Sequence, residues 1–397
     1  MKIVQINTFP YKATGSIMMN LQKIMRENGY ESYVVWGRGR KPENIYEISI
    51  EDKLGIKLHG IYTRLTDKTG FASKKATKVL INHLEEINPD IIHIHNIHGY
   101  YLNIEMLFKY MKMKKKKIVW TIHDCWPFTG HCAYFDMIGC DKWKNGCHNC
   151  KQINTYPSSL FIDNSAWNWR KKKELFSGLD ITIVTVSKWL KKIIKESFLG
   201  NYNTKVIYNG IDLNLFKPIK SNFRKQYNLE GKFIILGVAS EWTERKGLND
   251  FIKLSKKIDD RYAIVLVGLN DKQIRENKDS IIGLKRTNDI SELVSIYSSA
   301  DVFFNASVEE TMGMTTVEAM ACGTPAVVYN ATALPEILED FPKMIVEKYD
   351  LDSVIKIIED ISNKKINKYK LRDIASRYDK NVRFKEYIKL YEQIERG

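Results

Sequence analysis

Short runs of β-branched and aromatic residues alternate with longer segments of helical periodicity along most of the chain. This alternation is typical of parallel sheets whose strands are joined by helices. It predicts two doubly wound α/β domains that meet near Tyr208–Pro218, each with six strands. The predicted strands are Lys2–Asn7, Tyr33–Trp36, Ile91–His95, Ile118–His123, Ile181–Val186, Val206–Tyr208, Phe233–Val238, Ala263–Val267, Ile281–Leu284, Val302–Asn305, Ala326–Tyr329 and Met344–Val346.

The same pattern sets the expected domain boundaries. We expect an N-terminal Rossmann-like domain over residues 1–208 and a C-terminal domain over residues 209–379. A last helix, over residues 380–397, has an apolar stripe that predicts packing back on the first domain: Phe384, Ile388, Leu390, Tyr391 and Ile394. Ligands of such sheets bind beyond the carboxyl ends of the strands, so two facing domains predict an active site in the cleft between them.

Composition and charge narrow the classes of function. The chain has 397 residues, 44% hydrophobic and 27% charged, which is typical of a globular protein and excludes a disordered chain. Of the net charge of +15, nearly all lies in residues 1–200, which hold 31 basic and 18 acidic side chains. Such asymmetry favours an anionic partner: a nucleic acid, a membrane surface or a phosphorylated ligand.

Three features favour a cytoplasmic location. Met1–Pro10 alternates like a strand and not like an export signal. The longest uncharged stretch, Ala319–Pro335, contains Gly323 and Pro325 and is not a spanning helix. Six cysteines without an export signal make a disulfide framework improbable.

The most informative stretch runs from Glu310 to Glu318, directly after a predicted strand. A helix that begins near Gly313 would offer its backbone amides to a phosphate, and the glycine lets a ligand approach the backbone closely. The two carboxylates could accept hydrogen bonds from sugar hydroxyls. By spacing alone, two solvated charges are the more ordinary interpretation.

Glu310-x7-Glu318, with Glu-Ala-Met-Ala-x-Gly-x-Pro starting at Glu318, resembles the signature of the retaining glycosyltransferases of family 4, which have the GT-B fold. Further motifs follow in the order of that family: Val206–Asp212, Arg245-Lys246-Gly247 and Tyr297–Asp301. The resemblance covers nearly the whole chain. It implies two Rossmann-like domains and metal-independent transfer of a sugar from a nucleotide diphosphate with retention of configuration.

The resemblance also implies roles for individual residues. Glu310 would contact hydroxyls of the donor sugar, and Glu318 the hydroxyls of the nucleotide ribose. Lys246, with Arg245 beside it, would neutralise the donor diphosphate. Many relatives carry an arginine five residues before that lysine, whereas this chain has Glu241. Either Arg245 compensates or the leaving group is held less tightly.

Backbone groups and the first half complete the implied site. The amides of Gly313 and Met314 would bind phosphate. Gly15 and Ser16, expected in a loop before the helical run Ile17–Asn28, resemble the glycine-bearing loop that donor phosphate and acceptor approach. His123 ends a predicted strand, and the resemblance places it near the reacting sugar. A hydrogen-bonded core histidine is the alternative for His123, and Asp124 beside it caps or orients.

Two clusters raise the question of a metal. His93, His95 and His98 lie at another strand end, where packing and acceptor contact are favoured over a metal site. Cys147-x2-Cys150, together with Cys132 and Cys140, could bind a structural zinc, and a cluster of buried thiols is the alternative. Cys125 and Cys322 are expected as small core residues.

Three basic runs suggest contact with an anionic membrane or, in the plainer interpretation, solvated helix ends: Lys114–Lys117, Arg170–Lys173 and Lys188–Lys195. The overall hypothesis is a cytoplasmic, peripheral membrane hexosyltransferase of cell-surface polysaccharide biosynthesis. Its acceptor would be a growing, lipid-linked glycan. The alternatives are a nucleic-acid-binding protein that uses the basic half and the cysteine-rich segment, and a GT-B sugar epimerase or phosphorylase.

Overall fold

The computed structural model describes residues 1–287, 289–363 and 368–396. The chain forms two compact units. The first unit comprises Met1–Tyr208 and Phe384–Gly397, and the second comprises Asn209–Arg383. Within the described residues, no helix has both the length and the apolar content needed to cross a membrane.

The first unit is built on one seven-stranded parallel sheet in the order β3-β2-β1-β4-β5-β6-β7. Its strands are β1 (Lys2–Asn7), β2 (Glu31–Trp36), β3 (Glu47–Ser49), β4 (Ile91–Ile94), β5 (Lys117–Ile122), β6 (Ile181–Thr185) and β7 (Asn203–Val206). Its helices are α1 (Lys12–Glu27), α2 (Lys53–Thr66), α3 (Lys74–Ile87), α4 (Ile104–Met113), α5 (Ser165–Phe176) and α6 (Lys188–Glu196). Every residue of β4 and of β6 is buried, as expected for central strands of a parallel sheet.

The second unit has a six-stranded parallel sheet in the order β10-β9-β8-β11-β12-β13. Its strands are β8 (Phe233–Val238), β9 (Tyr262–Val267), β10 (Ile282–Leu284), β11 (Val302–Asn305), β12 (Ala326–Tyr329) and β13 (Ile345–Val346). Its helices are α7 (Phe223–Gln226), α8 (Leu248–Ser255), α9 (Asp271–Asn277), α10 (Ile290–Ser299), α11 (Met314–Ala321), α12 (Leu334–Ile337), α13 (Leu351–Asn363) and α14 (Lys368–Ser376). The last helix, α15 (Lys380–Arg396), belongs to the first unit from Phe384 onward.

Both sheets have a point where the strand order changes direction. In the first sheet β1 lies between β2 and β4, so the switch falls between β1 and β4. In the second sheet β8 lies between β9 and β11, so the switch falls between β8 and β11. In open α/β sheets the loops that follow the strands diverge at such a point, and ligands bind in the crevice between them.

The strand prediction was confirmed in outline and wrong at the edges of the first sheet. The structure adds β3, whose three residues include one aliphatic side chain and therefore show no alternation. The last strand of this sheet begins at Asn203 and ends at Val206, earlier than predicted. Edge strands have one neighbour, so their burial pattern is weak.

Helix α15 supplies part of the core of the first unit. Phe384, Tyr387, Ile388, Leu390 and Tyr391 are buried in one cluster with residues of β1, β4, β5 and β6. The hydroxyl of Tyr391 forms a hydrogen bond of 2.6 Å with Nδ1 of the fully buried His93. Helix α15 is therefore held on the first unit by polar as well as apolar contacts.

We expect Tyr391→Phe to lower the free energy of unfolding by about 1–3 kcal/mol, because it leaves a ring nitrogen of His93 buried without its partner. Tyr30→Phe is the matched control, since the half-buried Tyr30 hydroxyl ties Glu392 of the same helix to the first unit. Urea unfolding of both variants checks this. An equal loss in the two variants would contradict the importance of the buried bond.

Candidate active site

Lys246 and Glu310 are brought together at the switch point of the second sheet. Lys246 ends the single 3-10 turn Glu244–Lys246 after β8, and Glu310 lies in the loop after β11. Because β8 and β11 are neighbours, these segments leave the same edge of the sheet. The ammonium of Lys246 forms a hydrogen-bonded ion pair with Oε1 of Glu310, and both side chains are mostly buried.

Two glycines in these loops allow close packing of the backbone. Gly247 has φ +79°, and a Cβ on it would lie 2.3 Å from the carbonyl oxygen of Ala306. Gly313 has φ +88°, and a Cβ on it would lie 2.5 Å from Cδ2 of Leu334. Only glycine adopts such backbone readily and leaves this space open. The prediction that a helix begins near Gly313 is confirmed, since Gly313 is the N-cap of α11.

Backbone hydrogen bonds hold the loop that carries Glu310. The guanidinium of Arg245 donates to the carbonyl of Glu309 at 2.9 Å, and the amide of Val308 donates to the carbonyl of Arg245 at 3.0 Å. The hydroxyl of Thr332 accepts from the Glu310 amide and donates to the Glu310 carbonyl, both at 2.8 Å. Nothing in the sequence singles out Thr332, which acts through backbone contacts.

Glu318 lies in α11 and contacts a different partner. The hydroxyl of Tyr297 in α10 donates to its Oε2 at 3.0 Å. Burial raises the pKa of Glu318 to about 7, although the bond from Tyr297 opposes this. Tyr297 belongs to the Tyr297–Asp301 motif, but its contact with Glu318 was not predicted. Strongly shifted pKa values cluster at functional sites, so Glu318 is a candidate for contact with a ligand.

His123 follows β5 in the first unit and ends a directed chain of hydrogen bonds. The Ser32 hydroxyl donates to the sulfur of Met25 at 3.7 Å and accepts from Nε2 of Gln5 at 3.4 Å. Oε1 of Gln5 lies 3.2 Å from Nε2 of His95, which must therefore carry the proton. Nδ1 of His95 then has a lone pair and accepts from Nε2 of His123 at 3.1 Å.

This chain fixes the tautomer of His123. Its Nε2 carries the proton, and its Nδ1 is left as a hydrogen-bond acceptor. Burial lowers the pKa of His123 to about 4, although the nearby Asp124 carboxylate opposes this, so the ring is neutral at physiological pH. Gln5 and His95 are positioning residues that sequence reasoning did not assign to His123.

The neighbouring polar residues have structural partners. Asp124 accepts from the amide of Trp126 at 2.9 Å and contacts Nε2 of His98 at 2.8 Å. Although burial opposes it, His98 helps to hold the pKa of Asp124 below its ordinary value. His93 contacts the Thr121 hydroxyl at 2.8 Å. These contacts agree with the orienting role expected for Asp124 and with packing for the histidine cluster.

The predicted position of Gly15 and Ser16 in a loop was wrong. Helix α1 begins at Lys12, so both residues lie in its first turns. Gly15 is buried, and a Cβ on it would lie 2.4 Å from the carbonyl oxygen of Phe9. The glycine lets the helix start pack on the loop after β1, while Ser16 is exposed.

The cysteine-rich segment encloses a small cavity, lined among others by Cys132, Cys140, Cys147 and Cys150. Its sulfurs have other partners: the amide of Gly130 donates to Sγ of Cys147 at 3.1 Å, and Cys132 is hydrogen-bonded to Cys150. In the part of the chain that the structure describes, no three His, Cys, Asp or Glu side chains are arranged to hold a metal ion. The predicted zinc site therefore has no support here. Cys125 and Cys322 are buried, as predicted.

Comparison with known proteins identifies the family. Residues 15–215 match the model of Glycosyltransferase Family 4, and residues 219–382 match that of Glycosyl transferases group 1. The chain belongs to the group 1 glycosyltransferases. This confirms the family that the motifs indicated.

Two bacterial relatives illustrate what this glycosyltransferase resembles. The glycosyl transferase WcaC of Escherichia coli K12, named provisionally for colanic acid biosynthesis, is 24% identical over 77% of this chain and 77% of its own. The O-antigen biosynthesis glycosyltransferase WclY of Escherichia coli is 28% identical over 56% of this chain. The match with WclY covers 65% of the length of that relative. A match with MJ1607, an uncharacterized glycosyltransferase of Methanocaldococcus jannaschii, covers 44% of the length of that protein.

Solved structures show the same fold. The sucrose-phosphate synthase of Thermosynechococcus elongatus has a TM-score of 0.73 at 16% identity, over 99% of this chain and 98% of that one. Anabaena Alr3699/HepE in complex with UDP-glucose has a TM-score of 0.69 at 16% identity, over 99% of each chain. The glycosyltransferase therefore has the predicted GT-B fold, with two parallel-sheet α/β domains.

Glu318→Gln should stabilise the protein at alkaline pH. With a pKa raised from 4.5 to about 7, the folded state binds the Glu318 proton more tightly than the unfolded chain. The free energy of unfolding of the wild-type protein therefore falls as the pH rises from 4.5 to about 7, and it falls no further above that range. We expect the variant to exceed wild type by about 1–3 kcal/mol at pH 8, and by much less at pH 5.

Urea unfolding at both pH values measures this difference. Glu276→Gln is the control, because Glu276 is exposed and pairs with Lys272 in the same turn of α9. A gain for Glu318→Gln that does not depend on pH would contradict the raised pKa.

Nitrogen NMR of histidine-labelled protein should show His123 as a single Nε2–H tautomer that does not titrate between pH 5.5 and pH 8 (a range about 1.5 units or more above its pKa). Gln5→Leu removes the acceptor that orients His95, so the His123 signals should shift toward a mixture of tautomers. Tyr391→Phe is the control, since it changes only the partner of His93. A His123 ring with the proton on Nδ1 would refute the directed chain.

Proposed function

We propose that this glycosyltransferase moves a hexose-type sugar from a nucleotide-diphosphate donor to a growing glycan in polysaccharide or O-antigen biosynthesis, with retention of configuration. The observation that carries this proposal is the Lys246–Glu310 pair at the switch point of the second sheet. The names of WcaC and WclY support the glycan acceptor. Structures of Alr3699/HepE with UDP and with UDP-glucose support the class of donor.

Charge on the departing phosphate is the main energetic problem of the reaction. Lys246 has three N–H donors, so it can bind a diphosphate oxygen while it keeps its contact with Glu310. The amides of Gly313 and Met314 at the start of α11 add positive potential. Arg245, whose guanidinium donates to the Glu309 carbonyl, is a second cation. Glu241, at the position where many relatives carry an arginine, supplies no positive charge. These groups stabilise the leaving group without a metal ion.

Carboxylates orient the sugar and the nucleotide. Glu310 accepts hydrogen bonds from donor-sugar hydroxyls, with its direction fixed by Lys246 and by the Thr332 bonds to its backbone. Glu318 accepts from the ribose hydroxyls. In the retaining mechanism the leaving phosphate accepts the proton of the acceptor hydroxyl on the same face of the sugar. The protein then contributes positioning rather than a general base.

The first unit binds the acceptor side. His123 also offers its Nδ1 lone pair to a hydroxyl of the donor sugar, and Gly15 and Ser16 at the start of α1 flank the approach of donor phosphate and acceptor. The excess of basic residues in the first 200 positions suits a lipid-linked acceptor on an anionic membrane. The enzyme is then a peripheral protein of the cytoplasmic face.

Lys246→Ala and Glu310→Gln should each lower turnover by about 10²- to 10³-fold and leave the melting temperature within a few degrees of wild type. Lys253→Ala is the matched control, because Lys253 is an exposed lysine of α8 that contacts Asp250 at 3.8 Å. A thermal-shift panel of UDP-, GDP- and ADP-sugars first selects the donor, which stabilises the folded enzyme by mass action. Turnover is then followed as nucleotide release.

Three outcomes would contradict the proposal. They are near-normal turnover in both variants, no stabilisation by any nucleotide sugar, and nucleotide release that does not depend on acceptor. The last result would favour an epimerase or another donor-only reaction. The anomeric configuration of the product, read by proton NMR, tests retention separately.

A further inference from the structure

The apolar side of helix α2 points away from the core of the first unit. Leu54, Leu58, Ile61 and Leu65 follow the spacing of one helical face, yet they are 48–67% exposed. The opposite side carries His59 and Thr63, which are both completely buried. The helix therefore exposes its apolar side and buries polar residues, whereas an ordinary amphipathic surface helix does the opposite.

Specific hydrogen bonds fix this rotation. Nε2 of His59 accepts from the amide of Gly70 at 3.0 Å, and Nδ1 of His59 lies 2.8 Å from the Ser73 hydroxyl. Asp52 caps the helix by accepting from the amide of Gly55 at 2.9 Å. Turning α2 to bury its leucines would break the His59 bonds, so exposure of the apolar side is part of the fold.

A second exposed apolar segment adjoins the carboxyl end of α2. Leu160, Phe161 and Ile162 are consecutive and exposed, and Phe161 reaches 85%. The amide of Leu160 donates to the carbonyl of Arg64 at 2.8 Å, which ties this segment to the last turn of the helix. We call the four aliphatic residues of α2 and these three residues the apolar patch. Exposed apolar residues grouped in this way are typical of an interaction surface.

Basic side chains border the patch. Lys53, Lys57 and Arg64 are exposed along one edge of its helical part, and α2 contains no acidic residue. None of these three forms an ion pair with the residues that the structure describes. Several lysines of the basic runs are instead used within the fold: Lys114 pairs with Glu85, and Lys172 is buried against the carbonyl of Trp126.

We propose that the apolar patch and its basic edge dock on an anionic lipid bilayer, with the leucines and Phe161 in the acyl boundary and the cations at the headgroups. An apolar face beside Lys and Arg is the arrangement by which helices lie in a membrane interface. A second copy of the chain fits less well, since its α2 carries no acidic side chain that could pair with the basic edge. The inference deepens the membrane contact of the proposed function and names its surface.

Vesicle cosedimentation of the full chain tests this without any sugar nucleotide, so the result is independent of glycosyl transfer. We expect binding to vesicles of phosphatidylcholine with one quarter phosphatidylglycerol, and weaker binding to phosphatidylcholine alone. Leu58→Ser/Ile61→Ser/Phe161→Ser should reduce partitioning at least tenfold. Lys53→Gln/Lys57→Gln/Arg64→Gln should remove the preference for anionic lipid.

The matched control is Ile45→Ser/Met113→Ser, which removes two exposed apolar side chains of the same unit outside the patch. It should bind as wild type does, and unchanged far-ultraviolet dichroism confirms that all variants fold. Equal binding of the triple serine variant and wild type would overturn the proposal, as would no binding by wild type. A wild-type dimer in light scattering that the triple serine variant abolishes would assign the patch to a second copy instead.

Discussion

The close approach of two backbones, at Gly247 and Ala306, is the constraint on which the site of the second unit depends. Neighbouring strands β8 and β11 release their loops at the same sheet edge, but side chains would normally hold those loops apart. A glycine with positive φ removes that obstacle. The Lys246–Glu310 pair and the Arg245–Glu309 contact both join the two loops beside this approach.

The first unit solves a different problem, which is how to keep a half-buried imidazole in one protonation state and one tautomer. Desolvation alone makes His123 neutral but leaves open which nitrogen carries the proton. The series from Met25 through Ser32, Gln5 and His95 has a single consistent direction of donation, and it selects Nε2. A neutral ring with a fixed acceptor suits recognition of hydroxyl groups better than transfer of protons.

The sequence predicted those features that depend on local pattern. Central strands were predicted because their wholly buried positions require runs of apolar residues. The roles of Lys246, Glu310 and Glu318 were inferred from motifs that resemble a family signature, and they stay predictions. Partners such as Tyr297 and Thr332 lie far along the chain from the residues they hold, so no local pattern indicates them. Periodicity also cannot say which side of a helix is buried. In α2 the hydrogen bonds of His59 decide this against the leucines.

Helix α15 has a consequence for how the protein is made. The core of the first unit includes Phe384, Tyr387 and Tyr391, whereas the second unit ends at Arg383. During synthesis, residues 1–208 leave the ribosome before α15, which provides a buried layer of their core. The second unit has all of its chain earlier. The first unit is thus completed only after the second unit has been translated, and its unfinished apolar surface stays open to aggregation until α15 has emerged.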